Sequence, residues 1–223
     1  MSVKKYVPTL YNTDVTELVE WLNSNKTGTL LENAEIVKTT SSQFTISLGN
    51  VVIDVRTTET AVEGYDSITY TYDNSTTRKY NIKRTGSPYY VSKARVFLCS
   101  NGAIFKCFIG GTSYTWFSVT KDRDGQLAVI YPYPNTQDGV QYTGYRAILR
   151  DSLDYQVNQT PRTNPDFTDI VNMVVGFGDG TTAELPYIYA SRRSQISSDG
   201  SMEVVTLNGN TYITDGRWFV KDE

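Results

Sequence analysis

The chain has 223 residues and a formal net charge of −3, from 21 Lys plus Arg against 24 Asp plus Glu. That balance gives no global positive field to draw it to nucleic acid or an anionic membrane, and no apolar run approaches the ~20 residues a transmembrane helix needs. Histidine is absent, which removes Ser-His-Asp and Cys-His catalysis, His-ligated zinc and the usual general base near neutral pH.

The opening, MSVKKYVPTLYN, has two lysines and no apolar h-region, so no secretory signal is expected and the chain is expected to be made in a cytoplasm and stay uncleaved. Asp14 with Glu17 three residues later makes a capping-box-like start. Val15, Leu18, Trp21 and Leu22 follow at helical spacing and predict one helix over residues 14–24, closed by the Asn and Gly of NSNKTG. A stripe about three turns long is too weak alone and must dock on a sheet. Trp21 on that helix is also a candidate partner contact.

From Ala34 the period becomes strand-like. AEIVKTT, QFTISL and VVIDVRT are β-rich, with Gly49-Asn50 a two-residue hairpin signal between the last two. SITYTYD and RKYNIKR flank a turn over 74–77, with Ile68, Tyr70 and Tyr72 on one face. Cys99 and Cys107 are the only cysteines. VFLC-SNG-AIFKCF reads as a hairpin turning at Asn101-Gly102, which sets Cys99 against Ile104 and Cys107 against Val96 on opposite faces, so both are expected as free structural thiols. TSYTWFSVTK and QLAVIYPY follow around a DRDG turn, and Pro132 and Pro134 are expected to stop strand pairing at 131–135. GVQYTGYRAILRDSL fits helix or strand, with strand preferred, and NQTPRTNPD at 158–166 is the best linker. DIVNMVVGF and AELPYIYA lead through the polar loop SRRSQISSDG to the end.

That end, EVVTL-NG-NTYIT-DG-RWFVK, carries two favoured fillings of a type I′ turn and predicts a three-stranded meander. Two-residue loops would align Val205, Tyr212 and Phe219, Val204, Ile213 and Trp218, and Glu203, Thr214 and Arg217 in three rows. Both faces are apolar. One can cover the chain's own core, and the other needs a second cover from this chain or a neighbouring subunit. The pattern as a whole predicts a mainly β fold: an antiparallel β-sandwich or barrel-like body with one short N-terminal α-helix and the C-terminal meander. It is read as one domain over 1–223, any subdivision falling at 158–166.

Chemistry is sparse. Neither GxxxxGK[ST] nor GxGxxG occurs, and two cysteines cannot build a four-thiolate zinc site. A carboxylate pair for glycoside hydrolysis has no distinguishing pattern among 24 acids. GFGDG at 176–180 reads as a tight turn rather than an anion nest, and KDRDG as a hairpin turn rather than a calcium loop, since a third oxygen ligand and the distal Glu are missing. Asn25, Asn74 and Asn158 each open an Asn-x-Thr triplet, read as chance without an export signal. Tyrosines at 89, 90, 131, 133, 142, 145, 187 and 189 sit beside Pro or Gly, where they can pack a sandwich rim, anchor an interface or stack on sugar. No enzyme activity, cofactor or metal is expected.

PYIY, a polar loop and then LNGNTYITDGRWFVKDE, together with the opening YNTDVTELVEWLNS, resemble the two ends of uncharacterised tailed-bacteriophage virion structural proteins. The resemblance covers about 35 residues. It implies a structural or adaptor role in a tail, collar, baseplate or capsid surface, several copies per particle, and other virion proteins as partners. Location in the virion is implied too, after synthesis in a host cytoplasm. Trp218, Ile213, Val204, Tyr212, Phe219 and Trp21 are the interface candidates. A carbohydrate-binding module of a phage fibre is the alternative.

Overall fold

The computed structural model describes residues 3–6, 14–56, 65–83, 95–109, 112–122, 125–137, 140–149, 152–158, 170–176, 182–191, 204–214 and 218–222. In chain order these form β1 (Lys4–Tyr6), α1 (Thr16–Asn25), β2 (Glu35–Thr40), β3 (Gln43–Leu48), β4 (Val51–Arg56), β5 (Tyr65–Tyr72), β6 (Ser75–Lys83), β7 (Arg95–Cys99), β8 (Gly102–Ile109) and β9 (Thr112–Lys121). Then come β10 (Leu127–Gln137), β11 (Val140–Leu149), β12 (Ser152–Asn158), β13 (Ile170–Gly176), β14 (Thr182–Ser191), β15 (Val204–Leu207), β16 (Asn210–Thr214) and β17 (Trp218–Asp222). All pairing among them is antiparallel, in a five-stranded sheet β2-β3-β4-β5-β6 and a twelve-stranded sheet β1-β7-β8-β9-β10-β11-β12-β13-β14-β17-β16-β15. The expected mainly β, sandwich-like body is present. Among the described residues the end strands β1 and β15 do not pair, so the large sheet does not close into a barrel.

Strands β7 to β10 form the middle layer, and their sequences explain why. VFLC, AIF and LAVIY are continuous apolar runs, the pattern of strands covered on both faces, and FSVT in β9 alternates apolar side chains with the buried hydroxyls of Ser118 and Thr120. Val96, Leu98, Ala103, Phe105, Phe117, Val119, Leu127, Val129 and Tyr131 face the five-stranded sheet and join Phe44, Ile46, Ile53, Val55, Ile68 and Tyr70 in one core. The intervening residues Phe97, Cys99, Ile104, Ala128 and Ile130 join Leu185, Ile188, Ile213 and Val220 in a second core. The large sheet therefore folds back, with β14 across β9 and β17 across β8. Inside the first core Phe105 and Phe117 stack at 4.3 Å. The Tyr70 hydroxyl crosses the layers to donate to the Leu127 carbonyl at 2.7 Å.

Helix α1 starts later than the expected capping box, because Asp14 is used differently. Its Oδ1 accepts from the Thr16 amide at 2.8 Å and from the Thr16 hydroxyl, bonds that hold its carboxyl below the usual range. The cap position is Val15, whose amide donates to the Ser41 carbonyl and whose side chain is buried. Leu18, Val19 and Leu22 dock the helix, and Gly28, at φ 74°, turns the chain after it. α1 lies along β2: Asn23 donates to the Ile36 carbonyl at 2.9 Å and the Lys26 ammonium to the Ala34 carbonyl. β1, too short to be foreseen, pairs with β7, and Tyr6 packs on Trp21 at a centroid distance of 5.3 Å. Burial, followed by the Glu17 carboxylate it faces, raises the Tyr6 phenol to about 12.

The structure corrects four local expectations. The turn after β5 is the two-residue Asp73-Asn74 with φ of 52° and 62°, not residues 74–77, because Asp and Asn accept the left-handed region a type I′ turn needs. β10 continues through both prolines and pairs with β11 as far as Gln137. Pro132 and Pro134 are two apart, so their missing donors lie on one edge, and pairing with β9 has already ended at Ile130. The β7–β8 turn is Ser100-Asn101, closing Cys99 on Gly102, two residues out of the expected register. A two-residue shift preserves the faces, so Cys99 still shares its face with Ile104. The last meander hairpin is likewise shifted by two, as described below. The segment preferred as strand forms β11 and β12, while 159–169, with most of the linker, lies outside the described residues.

Replacing Tyr70 by Phe leaves the Leu127 carbonyl without that donor in a buried layer, and should lower the unfolding free energy by about 1–2 kcal/mol. Urea denaturation measures it; an unchanged midpoint would mean the bond contributes nothing to joining the sheets.

Candidate assembly surface

The C-terminal meander forms as expected in its first half. Asn208 and Gly209, at φ 50° and 78°, make the tight turn, and Val204 stands opposite Ile213 and Val205 opposite Tyr212. In the second half Ile213 stands opposite Val220, Tyr212 opposite Lys221, and Thr214 opposite Phe219. The expected partners were Trp218 for Ile213 and Phe219 for Tyr212; the connection is longer than a two-residue Asp-Gly turn. Residues 215–217 are outside the described ones.

Both apolar faces of β16 and β17 are covered by the chain itself. On one face Ile213 and Val220, both at 0% exposure, sit in the second core against the middle layer. On the other, Tyr212, Thr214 and Phe219 are buried. Tyr212 meets Tyr189 edge-on at 5.6 Å and Phe219 edge-on at 6.3 Å, the arrangement favoured by ring quadrupoles. Burial and, after it, the neighbouring Tyr189 raise the Tyr212 phenol.

The end of β17 is fastened to the β7–β8 turn. Asp222 Oδ1 accepts from the Ser100 amide at 3.1 Å and its hydroxyl at 3.0 Å. The Lys221 carbonyl accepts from Asn101 Nδ2 at 3.2 Å and from the Cys99 thiol at 3.7 Å. Gly102 makes this approach possible: a Cβ there would lie 2.5 Å from Val220 Cγ1 and 2.8 Å from the Val119 carbonyl oxygen. The glycine expected in the turn is instead needed in the strand, where bare backbone lets β17 lie close to β8. Cys99 is free and buried, and burial pushes its thiol up to about 12. The side chain of Cys107 lies outside the described ones.

The expected interface residues are thus divided. Ile213, Tyr212 and Phe219 are interior to the free chain, so the described fold does not present them to a partner. Val204 is 48% exposed on β15, the last strand of the sheet. Trp21 is half-buried in the first core, apart from the meander. Trp218 is placed by its backbone opposite Ala190, its side chain lying outside the described ones. Among the tyrosines singled out, Tyr131 is core and Tyr187 and Tyr189 are half-buried, Tyr189 beside Tyr212; the other five lie outside the described side chains. No group of three or more His, Cys, Asp or Glu side chains gathers to hold a metal among the described residues. Asp122 closes a hairpin turn, its Oδ1 accepting from the Gln126 amide at 2.9 Å. The GFGDG glycines and Asp124 fall outside the described residues, apart from Gly176, which ends β13. Sequence reading missed the Ser100-Asp222 fastening, since two residues 122 apart leave no local signal. The chain matches no family model, no curated protein and no solved structure.

Gly102→Ala should destabilise the protein by about 1–3 kcal/mol, because Val220 and a backbone carbonyl must both move; thermal melting reads it, and a neutral result would refute the close approach. The Cys99 thiol holds its proton more tightly folded than unfolded. Its contribution is therefore full below about pH 9 and lost as pH rises toward about 12, with a slope of at most about 1.4 kcal/mol per pH unit. Denaturation midpoints between those limits should fall less steeply for Cys99→Ala than for the parent.

Proposed function

We propose that the chain is a structural or adaptor subunit of a tailed-bacteriophage particle, acting by protein–protein assembly in several copies and performing no chemistry. The observation that carries the reading is the resemblance of its ends, YNTDVTELVEWLNS and LNGNTYITDGRWFVKDE, to virion structural proteins. A β body whose cores are closed within the chain supports it. Such a subunit is built before it docks, and its contacts then fall on strand edges and surface loops rather than on the meander's aromatic faces. The partners under this reading are other virion proteins and further copies of this chain. An antibody to the purified protein should label tailed particles at one fixed position in negative-stain electron microscopy. Particles that carry no label, and that assemble and infect fully after deletion of the coding sequence, would overturn the reading.

A further inference from the structure

Four strands end the two sheets, and such edges are liable to pair with other chains unless guarded. β2 is guarded by α1: Asn23 on the helix occupies the carbonyl of Ile36, and Lys26, just after the helix, occupies that of Ala34, just before the strand. β1 is guarded by charge: Lys4 donates to the Thr27 carbonyl at 2.6 Å, and the Lys5 ammonium lies 5.8 Å from the centroid of the Phe97 ring. β6 carries Arg78, Lys79 and Lys83 in its sequence. β15 reads Val-Val-Thr-Leu, with no charge, no proline and three β-branched residues, a composition that favours pairing. Among the described residues it pairs only with β16. Val204 and Thr206 are exposed, and among the described residues Val204 is the more exposed of the two large apolar residues that stand out at the surface, at 48% against 41% for Val37 on β2.

We infer that β15 is a self-association edge and that its occupant is the β15 of a second copy, added antiparallel about a two-fold axis normal to the sheet. The inference rests on the assembly reading and names its first partner. Such an axis sets opposite one another only residues that point to the same face, which leaves two registers that overlap by three residues; the one that keeps the exposed Val204 within the paired strand places Val205 opposite Val205 and Val204 opposite Thr206 of the partner. The exposed valine of each copy is then covered by a β-branched neighbour, and no like charges meet. The same operation on β1 would set Lys5 against Lys5, a repulsive pair. Of the free edges whose side chains are described, β15 is the one that no described strand or helix covers and that is compatible with itself. The face of Ile213 and the face of Tyr212 each continue across the junction, so the twelve-stranded sheets of the two copies join into one.

Sedimentation velocity of the full-length protein over a wide concentration range tests this. The parent should show a monomer–dimer equilibrium, and Val204→Lys with Thr206→Lys should raise the dissociation constant at least about tenfold. Both positions are exposed, so the melting temperature should stay close to the parent's and separate lost pairing from lost folding. Independently, Val205→Cys should form a covalent dimer under mild oxidation while the parent, with its native cysteines, does not. Dimers that persist in the lysine variant, with no cross-link at Val205→Cys, would overturn the β15 contact and leave the assembly reading standing. A parent that is monomeric at every concentration would also overturn the contact, and the particle labelling described above reads the virion role separately.

Discussion

Two-sided burial of β7 to β10 is the constraint on which the rest of the structure depends. Each fully buried aliphatic or aromatic side chain contributes about 1.5–3 kcal/mol through removal from water. The middle layer carries such groups on both faces, so it cannot exist with one face wet. The five-stranded sheet and α1 supply one cover. β14, β16 and β17 supply the other, which forces the twelve-stranded sheet to fold back on itself. Where polar groups enter this layer, most find a partner: the buried Thr120 hydroxyl donates to the Asn101 carbonyl at 3.1 Å. Ser118, buried between Ile104 and Ile130 on the inner face, has an Oγ without a partner among the described residues.

The fold-back explains the fastening at the end of the chain. β17 lies between β14 and β16 in the sheet and buries Val220 against the middle layer. The bonds from Ser100 and Asn101 to Asp222 and Lys221 tie it to a turn more than a hundred residues earlier in the chain. Gly102 sets the distance, since any side chain there would push β17 off the middle layer. The meander, the clearest local signal in the sequence, is therefore an internal cover over most of its area, and only its outermost strand faces outward. Under the inferred β15 contact, attachment falls on that backbone edge rather than on the aromatic rows.

Much of the architecture was legible. Alternation in QFTISL and VVIDVRT placed β3 and β4, Gly49-Asn50 and Asn208-Gly209 placed their turns, and the helical stripe of Val15, Leu18 and Leu22 placed α1 to within two residues. The misreadings share a cause. Gly102 has two uses, turn former or close-packing strand residue, and the local pattern points to the turn whereas β17, distant in sequence, requires the strand. At Pro132 and Pro134 the breaker rule assumed neighbours on both edges, whereas pairing on one side had already ended. Registers two residues apart leave every side chain on the same face, so alternation alone does not tell them apart.

By itself, the sequence determined the class of the protein: a β-rich chain without histidine, without a nucleotide-phosphate motif, with hairpins fixed by local turn chemistry. These are short-range properties, set by side-chain alternation and by the few residues that accept a positive φ. Only the tertiary structure decided which apolar faces are inside. Burial depends on which layers meet, and the sequence gives alternation but not the partner of each face. Val204 and Ile213 stand opposite each other in one row, yet one is at the surface and the other in the core, because the sheet ends at β15.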